Sequence, residues 1–250
     1  MRTANPALNE GAFGGLERVW DTDKAMTLQG TVNKAGVLLL LVALSAGWTW
    51  HLFFSGPTPD PASVMPWMII GAIGGFIVAL VTVFKQSWAP VTSPIYALLE
   101  GLFIGGMSSL AESQYPGIVI QAVGLTFGTC FALLVAYSSG FIRATENFKL
   151  GVVAATGGIA IVYLISIILS VFGVQMPFIH DNGLIGIGFS IFVVVIAALN
   201  LVLDFDFIET GARHGLPKYM EWYAAFGLMV TLIWLYIEIL RLLIKLRSRD

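Results

Sequence analysis

The chain has 250 residues, of which 57% are hydrophobic and 11% are charged, whereas an average soluble domain carries roughly 25% charged residues. So few charges cannot cover a water-exposed surface, so lipid must cover much of the chain and a large soluble domain is excluded. The net charge of -2, without a basic stripe, gives no sign of a nucleic-acid partner.

The first segment of the chain is polar. Residues 1–34 mix Pro6, Gly11 and several acidic and basic side chains, and no stretch within them resembles the apolar core of a signal peptide. The sequence therefore predicts a cytoplasmic leader over 1–34 and a membrane domain over 35–250.

Seven apolar runs follow the leader, each long enough to cross roughly 30 Å of hydrocarbon at about 1.5 Å per residue. Core helices of a soluble protein would need polar faces at helical period, which these runs lack. The predicted fold class is all-α, a polytopic membrane helix bundle in which short turn-rich connections make consecutive helices antiparallel. The predicted helices are 35–54, 64–84, 91–110, 118–137, 150–172, 184–208 and 219–246.

The positive charges predict the orientation. The loops after the first, third and fifth segments contain no Lys or Arg, whereas the leader and the other loops contain several, so the amino terminus is expected in the cytoplasm. Seven crossings then place the carboxyl end outside, although the same rule prefers its cations inside. The last segment either crosses or re-enters, and its length favours crossing. The cations of this tail are Arg241, Lys245, Arg247 and Arg249.

Glycines recur inside the apolar runs at a spacing of four residues. Gly101 with Gly105, and Gly124 with Gly128, have the spacing of a face on which two membrane helices approach closely. Both pairs therefore predict close helix packing.

Four acidic residues lie in or at the edge of these runs, where an ionised carboxylate costs at least about 2.5 to 3.5 kcal/mol. They are Glu100, Asp204, Asp206 and Glu238. For Glu100 two interpretations are equally favoured. It either forms a structural hydrogen bond to a neighbouring helix or is part of an ion pathway. Asp206 is predicted to lie in the interfacial layer.

Asp204 and Glu238 are the stronger candidates for a pH sensor or ion pathway. Asn200 is four residues before Asp204 and shares its helix face, and Arg241 follows Glu238 at i+3, close enough for an ion pair that would simply neutralise it. If the two carboxyl groups meet, repulsion in the low dielectric disfavours ionisation of both. They would then share a proton, which makes the pair a pH switch. Their oxygens suit Ca²⁺, but they are too few for tight binding.

An intramembrane enzyme is the weakest interpretation. The histidines, His51, His180 and His214, fall at loop edges, and no Ser or Cys stands in a nucleophile motif. No catalytic residue, metal site or cofactor is predicted, with Ca²⁺ expected only as a permeant or weakly bound ion. Cys130 is isolated in an apolar run and is expected to pack as a small apolar residue.

Several short motifs, through their order along the chain, resemble the Bax inhibitor family, particularly its bacterial YccA-like branch. They are LVLDFDFI at 201–208, WLYIEILR at 234–241, and the leader runs NPALN at 5–9 and MTLQGTVNK at 26–34. The resemblance implies six helices around a central seventh and a pH-dependent Ca²⁺ leak governed by two Asp residues on the last two helices. Asp204 matches the first position, whereas Glu238 replaces the second Asp.

Two functions follow as expectations. The first is a pH-sensitive cation leak, with Ca²⁺ as the favoured ion, in a bacterial inner membrane. The second is a non-transporting membrane regulator that binds a membrane protease or another partner, a role to which the resemblance also points. The lipid bilayer is the one partner that composition itself requires, and the sequence leaves the oligomeric state open.

Overall fold

A computed structural model of the chain describes residues 25–173 and 183–248, and within these ranges the regular structure is helical, with no β-strand. Seven long helices follow one another, and each is long and apolar enough to cross a membrane. The seven predicted spans are therefore confirmed. The helices are α1 (Leu28–Phe54), α2 (Pro61–Phe84), α3 (Ala89–Gln114), α4 (Ile118–Ser138), α5 (Glu146–Val171), α6 (Leu184–Arg213) and α7 (Met220–Arg247).

Several helices begin at residues that cap them. Thr27 caps α1 by accepting a hydrogen bond from the Gly30 amide at 3.0 Å, and Asp60 caps α2 by accepting one from the Ala62 amide at 2.9 Å. Pro61 follows at the first position of α2, where its missing N–H would have had no partner within the helix. Capping side chains therefore mark where α1 and α2 begin.

Most of the helices are longer than their apolar runs. α1 begins at Leu28, inside the segment predicted as leader, and α6 continues to Arg213, five residues beyond its predicted end at 208. The added turns are polar and lie at the helix ends, where a side-chain pair such as Glu209–Arg213 supports the helix at i,i+4. The apolar run of a sequence marks the part of a helix that lies in hydrocarbon, whereas the helix itself continues beyond that part through backbone hydrogen bonds. Residues 1–24 of the predicted leader lie outside the described residues.

Residues group into two compact units, which divide α6 after Asp206 and α7 after Met229. One unit contains α1, α2, α3 and residues 207–229, and the other contains α4, α5, residues 183–206 and residues 230–248. In the apolar stretches of α3, α6 and α7 half or more of the residues are buried, against fewer than a quarter in α1, α2, α4 and α5. The central place expected for the seventh helix remains a prediction.

The close approach of α1 to α3 rests on glycine. A Cβ atom at Gly101 would collide with Ser45 and the Val42 carbonyl, and one at Gly105 would collide with Thr49 and the backbone of Ala46. The predicted packing face at these two glycines is confirmed. The close backbone contacts that these glycines permit hold α1 and α3 together inside their unit.

The second glycine pair behaves differently. A Cβ at Gly124 or at Gly128 would meet nothing within 4 Å, and both residues are exposed on α4. The prediction of close packing at these positions is therefore wrong. Spacing alone identifies a smooth helix face, and only the neighbouring helix decides whether that face is used.

The two glycine pairs provide a matched test of packing in α1–α3. Gly105→Ala is expected to lower the free energy of unfolding by about 1 to 3 kcal/mol, because the added methyl group overpacks a backbone contact. Gly128→Ala is the control and is expected to be neutral or slightly stabilising, since alanine favours helix. Unfolding in mixed detergent micelles, followed by tryptophan fluorescence, measures both. Equal stability of the two variants would contradict the assignment.

Candidate functional site

Polar contacts set the register between α5 and α6, which run antiparallel. Near the start of α5, Lys149 pairs with Asp206 of α6 at 2.9 Å. Further along α5, the Thr156 hydroxyl accepts a hydrogen bond from the Asn200 side chain at 2.9 Å. Apolar packing around Ile159 continues the contact toward the other end of the helices. The two helices are therefore joined by groups that hydrocarbon cannot solvate.

Asp204 lies on α6 between these two polar contacts, and its side chain is fully buried. Asn200, one turn earlier, is also buried and donates a second hydrogen bond to the Ile196 carbonyl at 2.8 Å. From α4, Cys130 lies within electrostatic range of the Asp204 carboxyl group. An ionised carboxylate inside hydrocarbon costs free energy unless it is paired or hydrated.

Asp206 is more exposed than Asp204 and has a definite counter-charge. Its side chain is 19% exposed, whereas that of its partner Lys149 is 4% exposed. Lys149 also lies 3.4 Å from Glu146, which is largely exposed. The position of Asp206 near the end of the apolar run was predicted as interfacial, but its pairing with a buried lysine on α5 was not.

Glu238 belongs to a three-residue group that we call the Glu238 cluster, made of Glu238, Arg241 and Tyr163. The Arg241 guanidinium donates from Nη1 to both Glu238 oxygens at 3.2 Å, which confirms the ion pair predicted from their spacing. The Tyr163 hydroxyl of α5 donates to Glu238 Oε1 at 2.9 Å and accepts from Arg241 Nη1 at 2.7 Å. The cluster is therefore a closed triangle that ties α7 to α5.

Asp204 and Glu238 lie at different depths. Glu238 contacts α5 at Tyr163, whereas Asn200 contacts α5 at Thr156, seven residues earlier, and Asp204 is four residues beyond Asn200 in the same direction. At about 1.5 Å of rise per residue, this offset amounts to about 16 Å along the helices. The two carboxylates are therefore separated along the axes of the helices that contain them.

Glu100 has its own local environment in α3. The Tyr96 hydroxyl, one turn earlier on the same helix, donates a hydrogen bond to its carboxyl group. Glu100 Oε2 also lies against Gly75 of α2, where a Cβ atom would be 3.1 Å from it. Glu100 thus lies where α2 and α3 pack closely.

Lys245, near the end of α7, is 4% exposed and donates to the Gly186 carbonyl at 3.0 Å and to the Ser190 hydroxyl at 2.9 Å. Arg241 is held in the Glu238 cluster. The positive-inside rule counts cations in loops and at the membrane edge, so these two engaged cations weaken the conflict between a basic tail and seven crossings. Arg247 is exposed, and Arg249 lies outside the described residues.

A second buried carboxylate group, the Glu221 cluster, consists of Glu221, Thr27, Lys34 and Lys218. Glu221 in the first turn of α7 is fully buried and accepts hydrogen bonds from the Thr27 amide at 2.9 Å and the Thr27 hydroxyl at 2.8 Å. It also pairs with Lys34, and with Lys218 at 3.2 Å. A Cβ atom at Gly30 would collide with its carboxyl group. The cluster attaches the start of α1 to the start of α7.

Four of these residues, Glu221, Lys149, Lys245 and Tyr163, were not predicted as site residues, and the signals available for them were weak. Glu221 stands in a first helical turn, where the helix dipole favours a carboxylate, but such a residue is usually exposed. Lys149 and Lys245 entered only as charges for the topology rule. Tyr163 is one of several aromatic residues in an apolar run and became identifiable only through its contact with Glu238.

Histidine and metal chemistry receive no geometric support among residues 25–173 and 183–248. In those ranges no group of three or more His, Cys, Asp or Glu side chains is placed to hold a metal ion. His51 is exposed, and His214 Nδ1 lies 2.7 Å from the Thr210 carbonyl at the end of α6. His180 lies outside the described residues.

Seven long apolar helices with ionisable side chains buried among them define a polytopic α-helical membrane protein. The sequence model of the Bax inhibitor 1-like family matches residues 5–248, nearly the whole chain, and the chain belongs to that family. No curated protein and no solved structure matched it. The family resemblance of the motifs is thereby confirmed, and the bacterial branch remains an expectation.

The Glu221 cluster generates a stability prediction. Glu221→Gln is expected to lower the free energy of unfolding by about 2 kcal/mol, because it leaves two lysines and the α1 cap without their common anion. Arg213→Gln is the control, since it removes a cation whose side chain is 74% exposed and is expected to change stability by less than about 1 kcal/mol. Thermal unfolding in detergent, with hydrogen exchange at the Thr27 amide, measures the difference. Unchanged exchange at Thr27 in Glu221→Gln would contradict the role of the cluster.

Proposed function

We propose that the protein mediates a pH-sensitive cation leak across the membrane, with Ca²⁺ as the favoured ion and with Asp204 and Glu238 on the last two helices as the carboxylates that carry it. The observation that supports this most directly is the burial of both residues, at 0% and 1% exposure, inside membrane-spanning helices. Carboxylates in such positions are expensive and characteristically mark ion or proton pathways.

The chemistry of the two carboxylates favours Ca²⁺ passage over Ca²⁺ storage. Carboxylate oxygens are hard ligands of the kind Ca²⁺ prefers, but tight sites supply about six to eight oxygens. Two carboxylates at different depths offer successive weak stations instead. Weak, repeated binding lets an ion enter and leave, which is what permeation requires.

Protonation provides the pH response. At higher pH ionised Asp204 attracts a cation, whereas at lower pH the neutral carboxylic acid offers no charge and can hydrogen-bond within the bundle. The leak is therefore expected to rise with pH. Asp204, which is fully buried in α6, is the proposed sensor.

We further propose the orientation and location that the loop charges favour, a bacterial inner membrane with the amino terminus in the cytoplasm. In this orientation Asp204 lies toward the cytoplasmic ends of the helices and Glu238 toward the outside. The Lys149–Asp206 pair is then on the cytoplasmic side, as are the Lys- and Arg-containing loops after the second, fourth and sixth segments.

Reconstitution in liposomes that contain a Ca²⁺ indicator tests the leak. Between about pH 6 and about pH 8 the wild-type flux is expected to rise, and Asp204→Asn is expected to lower the flux at the higher pH by about tenfold and to flatten the pH profile. Asp60→Asn removes an exposed carboxylate but keeps a good helix cap, so it serves as the matched control.

Wild-type flux no greater than that of protein-free liposomes would contradict the proposal. It would favour instead the alternative function, a non-transporting regulator that binds a membrane protease or another partner. Equal flux and equal pH dependence in wild type and Asp204→Asn would reject Asp204 as the sensor.

A further inference from the structure

We propose that Arg241 is a tethered cation that occupies the cation site at Glu238 and thereby limits the leak. The inference rests on the proposed function, because it assigns a regulator to one of its two carboxylates. In this arrangement Asp204 determines the pH response, while Arg241 determines how readily an ion binds at Glu238.

The guanidinium lies where a bound cation would lie. One nitrogen, Nη1 of Arg241, is 3.2 Å from both oxygens of Glu238, so it sits astride the carboxylate as a bidentately held ion does. Ca²⁺ is commonly coordinated by both oxygens of a single carboxylate. Arg241 and a divalent ion therefore compete for the same oxygens.

Tyr163 holds the tethered cation in place. Its hydroxyl accepts from Arg241 Nη1 at 2.7 Å while it donates to Glu238 Oε1 at 2.9 Å. The guanidinium carbon also lies 5.2 Å from the centre of the Tyr163 ring, within the range of a cation–π contact. Tyr163 thus orients the guanidinium over the carboxylate by two different interactions.

The difference in exposure between the two charges makes displacement feasible. The Glu238 side chain is 2% exposed, whereas the Arg241 side chain is 38% exposed. Arg241 also sits on the same helix at i+3, so a change of its side-chain rotamer moves the guanidinium away without moving a helix. The carboxylate is fixed and buried, and its counter-charge is the movable partner.

Arginine suits this role because its charge does not depend on physiological pH. The guanidinium remains protonated throughout that range and is more weakly hydrated than an ammonium group. Competition by Arg241 for the Glu238 oxygens therefore persists across that pH range. This separates ion competition at Glu238 from proton sensing at Asp204.

A purely structural ion pair predicts the opposite result when Arg241 is removed. A buried carboxylate that loses its guanidinium partner destabilises the fold or takes up a proton, and neither change improves a cation site. The two roles are distinguished by the sign of the change in Ca²⁺ binding and flux.

The experiment compares wild type with Arg241→Gln, Arg241→Lys, Tyr163→Phe and the double variant Glu238→Gln/Arg241→Gln. Binding of radioactive Ca²⁺ to detergent-solubilised protein and Ca²⁺ flux in liposomes are both measured. Arg241→Gln is expected to bind Ca²⁺ about tenfold more tightly and to raise the flux severalfold, because the competing charge is gone. Arg241→Lys is expected to retain the wild-type restriction.

The double variant is expected to lose the gain, because the carboxylate that receives the ion is absent. Tyr163→Phe is expected to give a smaller gain than Arg241→Gln, since the tethered cation remains but is held less firmly. This variant keeps the ring and the charge pair, so it also serves if Arg241→Gln folds poorly. Size-exclusion profiles and thermal unfolding monitor the fold of each variant.

Each failure has a separate meaning. If wild type leaks Ca²⁺ and Asp204→Asn abolishes the leak, but Arg241→Gln and Tyr163→Phe leave Ca²⁺ affinity unchanged or weaker, the tethered-cation role is overturned and the proposed function stands. If wild type and every variant lack flux above protein-free liposomes, the proposed function fails. A gain that persists in the double variant would also overturn the inference, because the ion would then bind elsewhere.

Discussion

The low dielectric of the hydrocarbon layer requires each charge within it to find its counter-charge or hydrogen bonds inside the protein. Lys149 joins α5 to α6 through Asp206, and Tyr163 joins α5 to α7 through Glu238. Lys245 joins α7 to the first turns of α6. Apolar side chains gain little from leaving lipid for another apolar surface, so these polar contacts are well suited to determine which helices meet and in what register.

The ionisable residues have distinct surroundings. Asp204 is buried on α6 one turn after Asn200, whereas Glu238 is paired with Arg241 on the next turn of α7. The Glu238 carboxylate reaches both Arg241 and Tyr163.

The limits of prediction are clearest where similar patterns had different outcomes. Gly101–Gly105 and Gly124–Gly128 have the same spacing, yet the first pair packs against α1 and the second is open. Asp206 and Glu221 are both acidic residues close to the end of an apolar run, yet the side chain of the first is partly exposed and that of the second is fully buried against the start of α1. In each case the deciding partner belongs to another helix, which local spacing does not specify.

The number of spans, their approximate positions and the unusual carboxylates were determined by the sequence alone, because bilayer thickness sets the length of an apolar run and the insertion cost makes charges within it conspicuous. The Glu238–Arg241 pair was also predictable, since helical geometry makes residues at i+3 neighbours. Only the tertiary structure brought Tyr163 to this pair from 75 residues away. Such contacts depend on the rotation and displacement of whole helices, which packing between them decides.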